Sequence, residues 1–125
     1  QMRRFSTFVA SGCLYRREVH RRIGDFDPEV LNYWDWDFYL RASAEFRCKR
    51  VPVASVLYAF SPEGGHASAE LNESRQSYLD RLCAKHNLGT LPQKNFFLLL
   101  EEPDVAGRAA ETKTVWDGTL PRCRS

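Results

Sequence analysis

The stretch "NYWDWDFYLRAS", residues 32 to 43, decides how the chain is read. It sets two carboxylates, Asp35 and Asp37, on either side of Trp36, with Trp34 just before them. Three readings compete: a metal-binding Asp-x-Asp, a catalytic base beside a sugar-stacking platform, and an ordinary helix start. From Asp35 onward Trp36 and Leu40 share one stripe while Phe38, Ala42 and Phe46 share another, which is helical spacing with much of the circumference apolar. A largely buried helix is therefore expected. Residues i and i+2 of a helix point roughly 200° apart, so these two carboxylates are badly placed to clasp one cation, and the metal reading loses. Asp37 and Arg41 make an i, i+4 pair in the favourable orientation, which is a structural role for Asp37. Cap preference alone makes Asp35 a helix N-cap. Trp36 shares its stripe with Leu40 and reads as core, whereas Trp34, outside the helix, is the better stacking surface.

Upstream, "FSTFVASGCLY" at 5 to 15 mixes β-branched and aromatic residues around Gly12, which suits one strand or two short ones. "RREVHRRIGDF" spaces Val19 and Ile23 four apart and puts Gly24 at a C-cap position, predicting a short helix. "DFDPEVLNY" at 25 to 33 is an Asp-Pro turn leading into the opening motif. Downstream, "CKRVPVASVLYAFS" at 48 to 61 offers two short β-rich runs, followed by a Gly-Gly loop that carries His66. A long amphipathic helix is expected from Ser68 as N-cap to Gly89 as C-cap, about five to six turns. "NFFLLL" at 95 to 100 is a strand or a helical turn, and residues 103 to 125 read as a loosely held or docked tail with Trp116 as its one large apolar anchor.

Composition bounds the function. With 125 residues, 43% hydrophobic and 27% charged, the chain has the make-up of one soluble globular unit. A net charge of +2 with scattered basic residues gives no nucleic-acid footprint. No apolar run approaches the roughly 20 residues of a membrane span. The four cysteines are widely spaced, with no C-x-x-C pair, and read as reduced thiols of a cytoplasmic protein, or one peripheral to a membrane. Opening on Gln1 in mid-run, the sequence reads as cut from something longer.

The ordered series "SGCLYRREVHRRIGDFDPEV", "WDWDFYLRAS", "VASVLYAFSPEGGHAS" and "YLDRLCAKHNL" resembles the C-terminal, acceptor-side half of family 2 glycosyltransferases, enzymes of the GT-A fold. The resemblance covers residues 5 to about 89. It implies an α/β architecture, short strands against about three helices, with residues 1 to 89 as half of a GT-A domain and 90 to 125 as an extension. In that family the second acid of a Glu-Asp pair, just before the Trp-Asp helix, is the base of an inverting transfer, and that position falls on Asp35. The preceding Glu is here Trp34. The resemblance also implies acceptor contacts from Trp34, Trp36 or Asp37, a nucleotide-sugar donor, a glycan or other hydroxyl acceptor, and a divalent metal, Mg or Mn. The family's metal-binding Asp-x-Asp belongs to a nucleotide-binding half that this sequence does not contain. His66 could approach that metal, although the family's Arg-x-His pattern is not kept, Ala59 and Phe60 standing where an Arg is often found.

At a helix N-terminus Asp35 is expected to keep a low pKa, because the dipole favours the anion. The chain alone is expected to be inactive and to self-associate through residues 5 to 15, 54 to 60 and "NFFLLL". The rival function is a non-catalytic carbohydrate-binding or assembly module derived from such an enzyme. A plain structural or interaction domain is a third.

Overall fold

A computed structural model describes residues 2 to 56 and 71 to 115. These form five α-helices, two 3₁₀ segments and one two-stranded sheet. The first helix, α1 (Glu18–Ile23), ends where Gly24 takes φ 83° and returns its amide to the His20 carbonyl at 2.8 Å. That left-handed turn is one a glycine makes without Cβ strain. The "DFDPEV" turn becomes a 3₁₀ segment, Pro28–Tyr33, kinked at Leu31. Asp27 opens it by accepting the Glu29 amide at 2.8 Å, and Pro28 fills the first position, where no amide hydrogen is needed.

The second helix, α2 (Trp34–Glu45), follows without a gap. Its two apolar stripes go to two clusters. Trp36 and Leu40 pack with Val30, Tyr33, Leu79, Leu82 and Cys83, whereas Phe38 and Ala42 pack with Val19 of α1. The third stripe member, Phe46, lies beyond the helix and is exposed. The third helix, α3 (Glu73–His86), lies across the 3₁₀ segment and buries Leu79 and Leu82. It is shorter than the sequence suggests. Asn72 caps it by accepting the Arg75 amide at 2.9 Å, and Asn87 closes it in the left-handed region, ahead of Gly89. The expected cap Ser68 lies outside the described residues.

Among the described residues strand content is smaller than expected. Residues 5 to 15 are extended around a 3₁₀ turn at Ala10–Gly12 and join no sheet among the described residues. The sheet consists of β1 (Val53–Ala54) parallel to β2 (Lys113–Thr114), with Val53 opposite Lys113 and Ala54 opposite Thr114. "NFFLLL" is helical: Asn95 caps α4 (Phe96–Leu100). Beyond it α5 (Pro103–Ala110) leads into β2. Arg50 binds the Arg108 carbonyl and the Thr112 hydroxyl, so residues 108 to 114 sit against this chain's own β1 region. Trp116 lies outside the described residues.

Candidate active site

Asp35 and Asp37 occupy the same helical turn and meet opposite surroundings. Asp37 is fully buried. One of its oxygens accepts from Arg41 at 2.9 Å, and the other lies 2.8 Å from Lys85 Nζ and 2.7 Å from His86 Nε2. Lys85 also pairs with Asp27, and Arg41 donates onward to the Ile23 and Asp25 carbonyls. Burial alone would raise the Asp37 pKa, but the hydrogen bonds from Lys85, His86 and Arg41 outweigh it and hold the carboxyl below its ordinary value. Asp37 thus ties α2 to the end of α1 and to the last turn of α3. The Asp37–Arg41 pair is the one the sequence spacing indicates. Burial removes Asp37 from contact with an acceptor.

Asp35 stands at the second position of α2, not at the cap, which is Tyr33. Its Oδ1 accepts the Trp36 amide at 2.7 Å, and the backbone amides of Trp36 and of Asp35 itself both favour its anion. The carboxylate borders a cavity of about 100 Å³ whose wall includes Phe5, Phe8, Tyr33, Arg75 and Phe96. Desolvation by these neighbours raises the Asp35 pKa, overriding the lowering effects of the nearby amides and of the Arg75 charge. The expectation of a low pKa from the helix dipole is therefore corrected: α2 begins inside the apolar cluster, and dehydration of the carboxylate outweighs the dipole. A larger depression of about 470 Å³ follows the outer face of α3 past Gln76 and Asp80. Among the described residues it is a groove along one helix, lined by no group from another element.

The tryptophans divide. Trp36 is 4% exposed and donates its indole hydrogen to the Met2 carbonyl at 2.7 Å, so it is core and not an acceptor platform, although its edge reaches the cavity wall. Trp34 is the first helical residue and not outside the helix as expected. It remains 38% exposed, with its ring edge-on to Phe26 at 4.7 Å. His66 lies outside the described residues. Among the described residues no three His, Cys, Asp or Glu side chains converge as a metal site.

Sequence reasoning missed Arg75, Tyr33, Lys85 and His86. Arg75 is 7% exposed, and its Nε donates to the Tyr33 hydroxyl at 3.2 Å. An arginine on the face of α3 that also carries Leu79 and Leu82 was the available signal, because a cation on an apolar stripe needs a buried purpose.

The chain is 60% identical over 117 residues to the "uncharacterized glycosyltransferase YwdF" of Bacillus subtilis (strain 168), a match covering 94% of this chain and 44% of that protein. It is also 28% identical over 109 residues to the "chloroplastic group IIA intron splicing facilitator CRS1" of Zea mays, covering 87% of this chain and 14% of that one. The chain thus spans less than half the length of either curated relative. No family model and no solved structure matches it. No described helix is long and apolar enough to cross a membrane.

Proposed function

We propose that this chain is the acceptor-side portion of an inverting family 2 glycosyltransferase of the GT-A fold, with Asp35 as its general base. The glycosyltransferase name of the 60% identical relative supports the reaction class. The observation that carries the residue assignment is the division of labour among the motif carboxylates. Asp27 is engaged by Lys85, and Asp37 by Arg41, Lys85 and His86, whereas Asp35 forms no ion pair among the described residues and borders a cavity.

In the proposed reaction Asp35 takes the proton of an acceptor hydroxyl as that oxygen attacks the anomeric carbon of a nucleotide-sugar. The new C–O bond forms on the face opposite the leaving nucleoside diphosphate, whose bond breaks, and the anomeric configuration inverts. A carboxylate raised by desolvation is a stronger proton acceptor than an exposed aspartate. Exposed Trp34 presents an apolar face suited to a sugar ring. The divalent metal that the resemblance implies finds no site in the described residues, and no step of Asp35 chemistry runs through it.

The test is transfer from a panel of nucleotide-sugars by the full-length protein, with the anomeric configuration of product read by NMR. Transfer with inversion is expected. Retention would rule out a single displacement with Asp35 as base, and saturable sugar binding without transfer from any donor would instead identify a carbohydrate-binding module.

A further inference from the structure

The first helix carries a surface that the Asp35 site does not use. Arg16 and Arg17 lead into α1, Arg21 and Arg22 lie in its last turn, and all four side chains are exposed. Val19 is buried against Phe38 and Ala42, with Ile23 packed beside it, which fixes the side of α1 that faces the core. At roughly 100° per residue, Arg17 and Arg21 then project from the opposite side one turn apart, with Arg22 on one flank and His20 on the other. Arg22 lies 3.4 Å from Glu45 at the end of α2, and this brings exposed Arg47, two residues further on, alongside the same cluster. Arg16, Arg17 and Arg21 enter no ion pair among the described residues. Glu18 is the one carboxylate within α1. Beside the arginines runs an apolar rim. Leu14 is the most exposed large apolar side chain among the described residues, and it stands directly before Tyr15 and the first arginine pair. Tyr15 and Phe26 are exposed as well, and both rings contact His20 of α1, at 5.5 and 5.3 Å between centroids. One exposed leucine is ordinary, but an exposed leucine and two exposed rings at the edge of an arginine cluster make an amphipathic face. None of these residues lines the Asp35 cavity.

We propose that this face docks the protein on an anionic phospholipid bilayer, with the arginines pairing with headgroups and Leu14 and Tyr15 entering the boundary between headgroups and acyl chains. Charge complementarity sets the sign of the partner, since arginines gain most beside phosphate and carboxylate groups. Leu14 sets its second property. A fully exposed aliphatic side chain gains nothing from a polyanion in water and gains free energy on entering hydrocarbon. Tyr15, an apolar ring with a polar tip, is of the kind that sits at headgroup level. A nucleic acid, the rival polyanion, leaves Leu14 without a use. The attachment is to the membrane surface, as no described helix is long and apolar enough to cross one.

The test is co-sedimentation of the full-length protein with vesicles of phosphatidylcholine alone and of phosphatidylcholine mixed with an equal part of phosphatidylglycerol. Binding is expected to the mixed vesicles only, and to weaken as salt is added. Arg17→Gln combined with Arg21→Gln should lower the partition coefficient about 30-fold, roughly fivefold for each arginine removed from an anionic surface. Leu14→Ser should lower it about tenfold while leaving the salt dependence and the urea midpoint in place, because that side chain is already in water in the folded state. Equal binding to both kinds of vesicle, binding to neither, or wild-type binding by either variant overturns the proposal. So does tighter binding to a single-stranded RNA oligonucleotide at the same salt that Leu14→Ser leaves unchanged, which identifies a nucleic acid as the occupant.

Discussion

Replacing Asp37 with Asn is expected to cost about 3 kcal/mol of folding stability. Removing one partner of a buried ion pair typically costs roughly 3–5 kcal/mol, because the remaining charge stays buried without compensation. Here the loss falls near the lower end. Lys85 keeps Asp27, and Arg41 keeps the Ile23 and Asp25 carbonyls, so both of these cations retain acceptors. Reversible urea unfolding followed by tryptophan fluorescence measures it, and thermal unfolding should show a fall of roughly 10 °C, given about 2.1 cal/mol/K of unfolding entropy per residue. The sign of the pH dependence follows from the carboxyl, which is held below its ordinary value when folded. Its contribution is fully present above the unfolded value near pH 4 and is lost as pH falls through the folded pKa. Wild type and Asp37→Asn should therefore converge in stability at strongly acidic pH. A loss under about 1 kcal/mol at pH 7, or a difference independent of pH between 6 and 2, would refute the network's role.

Leu82→Ala should cost about 3 kcal/mol, within the range for emptying a fully buried leucine site, as judged by the urea midpoint at constant slope. Trp34→Ala should cost no more than about 1 kcal/mol, the value of its edge contact with Phe26, while raising the acceptor KM several-fold. Lys85 is held above its ordinary value: burial opposes this, but its bonds to Asp27 and Asp37 prevail. Its contribution is intact below its unfolded value and is lost as alkali carries pH through the folded pKa, so Lys85→Met should erase an alkaline loss of stability that wild type shows above about pH 10. The chain is expected to sediment as a dimer at micromolar concentration, with exposed Phe97 and Leu100 of α4 in the contact; a monomer would show that water tolerates this face.

Local signals were legible where a short segment carries its own physics. Gly24 closes α1, the stripes of α2 divide between two clusters, and Asp37 meets Arg41 one turn away. What could not be read lies across the fold. Lys85 and His86 reach Asp37 from nearly fifty residues downstream, and no spacing within α2 announces them. The opposite environments of Asp35 and Asp37 depend on where Phe5, Phe96 and Arg75 arrive, so the dipole argument gave the wrong direction for Asp35. The β-rich composition of residues 5 to 15 produced extended chain that joins no ladder among the described residues, because strand formation needs a partner that composition does not specify.

Asp35→Asn, assayed for both turnover and stability in one preparation of the full-length protein, tests the central claim most directly. The asparagine keeps the shape and removes a charge that burial disfavours, so the unfolding free energy at pH 7 should be unchanged or higher. Turnover should fall by about 10² to 10⁴-fold, the range for a lost general base, with nucleotide-sugar binding nearly intact. Unchanged turnover, or activity lost only in step with stability, would contradict the assignment of Asp35 as the base.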